Sequence, residues 1–336
     1  MLTAAIIGTG GMGGVHSNCY KSMQENGQAV TVIAAADIIP EKTAGVIETH
    51  PEARSYASLD ELLANETPDI VHLTTPSDTH AALAIQCLKR GIHVFSEKPI
   101  ALNLKDAQAM CDAAQVSKGY LMIGQVVRFS EQYRYLKSLI ENLTYGKLCS
   151  LRLYRAGQAP GWDARGWFLE TERSGRAPVD LHLHDTDFLN YLFGKPQAVE
   201  SHIIDDNDSL SYINTRFDYP DMDIRAEGGW VKAPLPFTFG YEAIFDEAMV
   251  VMKDDRGTLY PVNGKAQPVT PENSLTMESD TNLSDMGPYV AEIAYFHECI
   301  RKNTPPVEVT PESARLSLEI ILKEIESAKI EKKIRF

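Results

Sequence analysis

Residues 4–13 read Ala-Ala-Ile-Ile-Gly-Thr-Gly-Gly-Met-Gly, an apolar run that opens into a glycine-rich loop. Ala4–Ile7 is a short apolar run without alternation, the pattern of a parallel strand covered on both faces. Gly8, Gly10 and Gly13 then follow in Gly-x-Gly-x-x-Gly spacing. Gly8 permits a tight turn out of the strand, Gly10 lets a pyrophosphate approach the backbone, and Gly13 lets the next helix pack close. The N–H groups at that helix start, with the positive end of its dipole, suit a phosphate. Thr9, Gly11 and Met12 complete the loop expected to hold it. On spacing alone, a glycine-rich turn that binds nothing is the alternative.

The flanking sequence favours the nucleotide. A helix is expected after Gly13 through about Glu25, ended near Gly27, and a second apolar run, Val30–Ala36, stops at Asp37. An acid about 20 residues beyond the glycines can accept hydrogen bonds from the adenosine ribose hydroxyls. Before Pro40, Asp37 could also serve only as a turn residue. A carboxylate there repels the extra phosphate of NADP, and Ile38 and Ile39 supply no arginine to clasp it. The expected cofactor is NAD, with NADP left open by the nearby Lys42.

Composition narrows the classes. The chain has 336 residues, 44% hydrophobic and 23% charged, as an ordinary globular protein of one or two domains does. A formal net charge of −14 argues against a nucleic-acid partner and against binding to anionic membranes. No apolar run approaches the roughly 18 residues of a membrane span, and the start of the chain lacks the pattern of a secretion signal. Cys19, Cys87, Cys111, Cys149 and Cys299 are scattered without zinc or redox spacing, so reduced thiols and a cytoplasmic location are expected.

Strand and helix patterns alternate through the first third. Ser58–Glu61 reads as a capping box, Ile70–Thr74 as a strand, Ile92–Ser96 as another, and Asn103 as the cap of a helix before strand Tyr120–Gly124. That order predicts a doubly wound parallel sheet over residues 1–124. Beyond it, a helix over 130–142 and a strand over 147–156 are followed by successive strand-like runs between 197 and 260. Short turns between those runs predict an antiparallel sheet in an α+β domain, residues 125–336. Residues 261–287 read as an irregular loop, and two helices close the chain.

In such chains the active site lies at the carboxyl ends of the parallel strands. Two segments there could carry chemistry. In Ser96-Glu97-Lys98-Pro99, a lysine at a strand end could hydrogen-bond a substrate hydroxyl and stabilise developing negative charge, although loop lysines are commonly just solvated. In Pro178–Gly194, read as one helix, Asp180, His184 and Asp187 stand at i, i+4 and i+7 on one face. An aspartate can fix the tautomer of such a histidine, and a helix N-terminus favours the neutral ring, which suits a base. First-turn acids beside a surface histidine are the plain alternative. A metal site is not expected, because His182 and His184 are two apart and point to opposite sides of a helix. Tyr154, Trp162, Arg165 and Trp167 offer aromatic faces and a guanidinium that suit a polyhydroxylated ring, or else pin a long loop to the core. Arg176 stands near them, and Thr74, Thr75 and Pro76, with Gln125 and Arg128, end strands facing the same crevice.

Taken together, Gly8–Gly13, Thr74-Thr75-Pro76 with His80, Glu97-Lys98-Pro99 and Asp180-x-x-x-His184-x-x-Asp187 make the chain resemble the Gfo/Idh/MocA oxidoreductase family over nearly its whole length. The resemblance implies a Rossmann domain followed by a large, mostly antiparallel open sheet that builds homodimers or homotetramers. It also implies that Lys98 and His184 contact the reacting hydroxyl of a sugar, inositol or related polyol, supported by Asp180. His80 and Glu97, within those motifs, would join the cofactor site; by position, Gln125 is expected there too, and Arg128 and Tyr154 at the substrate site. The chain departs from the family at Ser174-Gly175-Arg176, where a glycine cluster is common, and at His182, where a small residue is frequent. Substrate identity therefore does not carry over. A glycosidase that oxidises a sugar transiently, and a regulator that only binds the dinucleotide, are the competing expectations.

Overall fold

The computed structural model describes residues 1–160, 166–208, 210–254, 256–269 and 287–336. Strands β1 (Leu2–Ile7), β2 (Val30–Ala36), β3 (Arg54–Tyr56), β4 (Ile70–Leu73), β5 (His93–Glu97) and β6 (Leu121–Gly124) form one sheet in the order β3-β2-β1-β4-β5-β6. Every pairing in it is parallel. Parallel neighbours need crossovers, here containing α1 (Gly11–Glu25), α2 (Ala44–Thr49), α3 (Leu59–Asn65), α4 (His80–Lys89) and α5 (Leu104–Val116). The order is that of the Rossmann fold. Ala4, Ala5, Ile6, Ile70, Val71 and Leu73 are fully buried, which is why these strands read as unbroken apolar runs. The predicted caps form: Ser58 Oγ accepts the Glu61 N–H at 3.1 Å, and Asn103 Oδ1 accepts the Asp106 N–H at 2.9 Å.

The second sheet has nine strands among the described residues. They are β7 (Leu148–Gln158), β8 (Ala198–Asp205), β9 (Ser211–Tyr219), β10 (Met222–Val231), β11 (Thr238–Phe245), β12 (Ala248–Lys253), β13 (Arg256–Pro261), β14 (Gln267–Val269) and β15 (Ile334–Arg335). Their order is β14-β13-β12-β11-β7-β10-β9-β8-β15. Only the β7–β10 pair is parallel, because β7 comes from well before the meander and inserts into its middle. The remaining helices are α6 (Glu131–Glu141), α7 (Thr171–Ser174), α8 (Leu183–Phe193), α9 (Gly287–Lys302) and α10 (Pro311–Ile330).

One face of β7 carries Leu151, Leu153 and Arg155, all buried, and Arg155 reaches Asp185 of α8 at 3.1 Å. The other face carries exposed Arg152, paired with Glu227, and half-buried Tyr154. Successive strand residues point to opposite faces, so α8 covers the first face alone of these two sets.

Contacts divide the chain into two compact units, Met1–Val126 with Ser274–Arg315, and Val127–Asn273 with Leu316–Phe336. Helix α9 packs against α1 and β5 and so belongs with the parallel sheet, although it follows the second sheet in sequence. No helix among the described residues is long and apolar enough to cross a membrane.

Candidate active site

In the first unit the parallel sheet brings one set of sequence motifs to a single edge. The glycine loop follows β1, Asp37 follows β2, Thr74-Thr75-Pro76 follows β4, Glu97-Lys98 ends β5, and Gln125 follows β6. All strands run the same way, so all these segments stand at their carboxyl ends.

The glycine loop is shaped by contact. Gly8 has φ +87°, and a Cβ there would lie 2.7 Å from the Thr75 side chain. A Cβ on Gly13 would lie 2.3 Å from the Gly8 carbonyl oxygen. Around Gly10 nothing lies within 4 Å of where a Cβ would be. The first turn of α1 has neither a side-chain cap nor an acid, which leaves N–H groups there for an external anion. Asp37 Oδ2 accepts the Thr9 N–H at 2.9 Å, and its Oδ1 accepts the Ile39 N–H at 2.9 Å. A carboxylate has about four acceptor positions, so it retains capacity for a ribose hydroxyl. Gln125 is buried, and neither amide atom of its side chain has a hydrogen-bond partner among the described residues. An open approach at Gly10, an uncapped helix start and an orphaned amide at the same sheet edge fit a dinucleotide.

Other predicted cofactor residues turn inward. The Thr74 hydroxyl donates to the Gly8 carbonyl at 2.6 Å and so buttresses the loop. His80 is 1% exposed, with Nδ1 2.9 Å from the Pro99 carbonyl oxygen and Nε2 2.9 Å from that of Thr75. Both ring nitrogens lie against main-chain carbonyl oxygens. The ring staples the Thr75-Pro76 turn to the Lys98-Pro99 turn. Burial lowers its pKa, and the two carbonyl contacts act against that shift. Glu97 is buried too, with Oε1 2.9 Å from His16 Nε2 and Oε2 accepting the Lys98 N–H at 3.3 Å. The Lys98–Pro99 peptide is cis.

In the second unit, the helix expected from Pro178 begins differently. Pro178–His182 is wound as a π-helical turn, with the Leu183 N–H donating to the Pro178 carbonyl, and α8 starts only at Leu183. The wider turn changes the register between Asp180 and His184 from that of a straight helix. From Arg176 to Asn190 every residue is buried except His184, which is half-buried. His182 goes to the core, where its Nε2 lies 2.9 Å from Glu324 Oε2. Glu324 also accepts from the Thr186 hydroxyl at 2.8 Å and the Thr215 hydroxyl at 2.6 Å. The departure at residue 182 is therefore a core substitution held by its own acid. No cluster among the described residues could hold a metal ion.

Arg128 is held by an acid of its own unit. Its guanidinium is 2% exposed and donates to both Asp187 oxygens, at 2.7 and 2.6 Å, over the Tyr191 ring. Tyr154 lies on the sheet face opposite Arg155 and α8, near the Met252 carbonyl, and burial pushes its hydroxyl up to about 12. Arg176 is committed to Asp205, at 2.8 Å, and to the Asp208 carbonyl, at 2.7 Å. Trp167 stacks on Phe168 at 4.0 Å, and Phe168 meets buried Trp230 edge-on. Trp162 and Arg165 lie outside the described residues.

Sequence reasoning missed His16, Tyr20, His72 and His297, which are fully buried and linked to one another. Two signals were present. His16 and Tyr20 are i, i+4 on α1, and His72 interrupts an otherwise apolar strand.

Residues 2–125 match the model of an oxidoreductase family with an NAD-binding Rossmann fold, and residues 133–231 match the Gfo/Idh/MocA C-terminal domain. A myo-inositol 2-dehydrogenase of Thermotoga maritima is 29% identical over 191 residues, 56% of this chain and 54% of that protein. A 2,7-anhydro-N-acetylneuraminate hydratase of Mediterraneibacter gnavus is 29% identical over 227 residues, 63% of this chain and 58% of that protein. The chain thus spans somewhat over half the length of these curated relatives. Levoglucosan dehydrogenase, solved with NADH and levoglucosan, superposes with a TM-score of 0.87 over 99% of both chains at 20% identity, a likeness of fold. With both domain models matched in order along the sequence, the chain belongs to the Gfo/Idh/MocA oxidoreductase family and carries its NAD-binding Rossmann domain.

Proposed function

We propose that the chain is a dehydrogenase that oxidises a secondary hydroxyl of a sugar, inositol or related polyol with NAD. The observation that carries this reading is the shared carboxyl edge of the parallel sheet, where the glycine loop, Asp37, Lys98 and Gln125 stand together. NAD, when bound, supplies the hydride acceptor. The role proposed for Lys98 is to donate a hydrogen bond to the hydroxyl oxygen and stabilise charge developing on it. The role proposed for His184, the one residue of its run not buried, is to take the hydroxyl proton. Asp180 is the proposed orienting partner of that ring.

The test is a panel of hexoses, inositols and their acids offered with NAD and NADP in turn, following the absorbance of the reduced nicotinamide. Turnover with NAD on a polyol is the expected result. Tight NADH binding without reduction of either cofactor on any member would overturn the reading. A second reading draws support from the relative named as a hydratase. Adding water causes no net change in oxidation state, so a transient oxidation with a retained cofactor would convert sugar without accumulating NADH.

A further inference from the structure

One carboxyl in the core of the second unit grips the chain on both sides of His184. Glu324 Oε2 lies 2.9 Å from His182 Nε2, and Glu324 Oε1 accepts the Thr186 hydroxyl at 2.8 Å. The same Oε2 accepts the hydroxyl of Thr215, on β9, at 2.6 Å. His182, Thr186, Thr215 and Glu324 are each 0% exposed. The proposed reaction gives none of them a part.

Helix geometry says what this grip does. His182 ends the π turn and caps α8, and its backbone is already helical, with φ −67° and ψ −25°. From there, residues four apart stand on one face, which is how a single carboxyl spans His182 and Thr186. Residue 184 is two positions from each, about 200° round the helix axis. Turning the face of 182 and 186 onto Glu324 and β9 therefore turns His184 out of the core. It is the one half-buried residue between Arg176 and Asn190. Straight α winding from Pro178 would instead displace residue 184 by about one position, or 100°, relative to the chain before it.

A second tie runs the same way. Ser317, about two turns before Glu324 on α10, donates to Asp187 at 2.7 Å and accepts from the Asn190 amide at 3.0 Å. The earlier residue of α10 meets the later residues of α8, so this stretch of α10 runs antiparallel to α8. Ser317 holds the middle of α8, and Glu324 holds its first turn.

We propose that Glu324 is a positioning residue for His184: by holding His182 and Thr186 it sets the rotation of the first turn of α8, and so the direction in which the imidazole of the proposed base leaves the core. This deepens the dehydrogenase reading and rests on it for its purpose, whereas the setting of the ring can be measured without turnover. The test is ¹⁵N-histidine NMR of the NADH-saturated protein, with the His184 signal assigned by its loss in His184→Ala. Thr186→Val keeps the shape of the side chain and removes only the grip beyond His184. The His184 signal and its titration midpoint are expected to shift in this variant, and Thr186→Ser, which keeps the hydroxyl, is expected to restore both. Should Thr186→Val not fold, Thr186→Ala leaves room for a water against Glu324 and carries the same expected shift. Ser201→Ala is the comparison for stability alone, since it removes a buried hydroxyl that hydrogen-bonds Thr215 at 2.8 Å on the sheet side. It should melt lower, as Thr186→Val does, with the His184 signal of the wild type. On a polyol turned over in the panel, Thr186→Val should lower kcat about tenfold, with KM and NADH affinity within about threefold, and Ser201→Ala should keep the wild-type kcat. A His184 signal left in place by the loss of the Thr186 hydroxyl, or a kcat that falls equally in Thr186→Val and Ser201→Ala, would show a purely structural contact and overturn the proposal. A shifted His184 signal in a protein that reduces neither cofactor would sink the dehydrogenase reading and leave the positioning role standing.

Discussion

Asp187 takes both arms of the Arg128 guanidinium, at 2.7 and 2.6 Å, in a site that is 1–2% exposed on each side. Ser317 of α10 donates to the same carboxylate at 2.7 Å. Removing one member of a buried pair strands the other charge, at a cost of about 3–5 kcal/mol. Arg128→Ala is therefore expected to lower unfolding free energy by that amount in urea titration. A loss under about 1 kcal/mol, with weakened polyol binding instead, would favour Arg128 as a residue of the substrate site.

The glycine loop offers a separation of folding from binding. Nothing stands near a Cβ at Gly10, so Gly10→Ala should unfold at the wild-type temperature yet bind NADH at least tenfold more weakly. Gly13→Ala meets the Gly8 carbonyl at 2.3 Å and should lower the unfolding temperature as well. Unchanged NADH affinity in a folded Gly10→Ala protein, measured by fluorescence titration, would place the pyrophosphate elsewhere.

Lys98→Ala and His184→Ala are each expected to cut kcat by about 10²–10⁴, the usual span for a lost acid–base or electrostatic group. NADH affinity should stay within about threefold, since the cofactor loop is untouched. Near-normal turnover in both would remove the proposed roles.

Stability should depend on pH in two opposed ways. His72 and His297 have pKa values below the unfolded histidine value of 6.5, His297 at about 3. The unfolded chain binds more protons below 6.5, so their contribution is full above it and is lost as pH falls, at up to about 1.4 kcal/mol per unit for each. Glu292 is raised above its unfolded value of 4.5, so its contribution is lost as pH rises above that value. Glu292→Gln should therefore melt higher than wild type at pH 8 and about equally at pH 4.5. A variant that melts lower at pH 8 would mean that the ionised Glu292 is held by a partner.

What was legible in the sequence follows from the range of the interactions. The β1–loop–α1 unit was readable because glycine spacing and apolar runs act over a few residues, and the Ser58 and Asn103 caps likewise. The parallel β7–β10 pair was hidden, since strands some 70 residues apart leave no local mark of their pairing. The π turn at Pro178–His182 lies inside a run whose periodicity reads as one straight helix, so local pattern does not record it. Arg128 and Asp187 were each noticed, but their mutual capture joins α8 to the segment after β6 and is written only in three dimensions. The link from Tyr20 to His297 spans 277 positions.

The passage of α9 back to the parallel sheet bears on how this protein can be divided. A polypeptide ending at Val126 would carry the whole nucleotide fingerprint yet lose the helix that packs against α1, and with it His297 opposite Tyr20. Such a fragment should bind a hydrophobic dye and melt without a sharp transition, whereas one that splices α9 back onto it should not. A dinucleotide module for transplantation therefore has to be assembled from two separated stretches of chain.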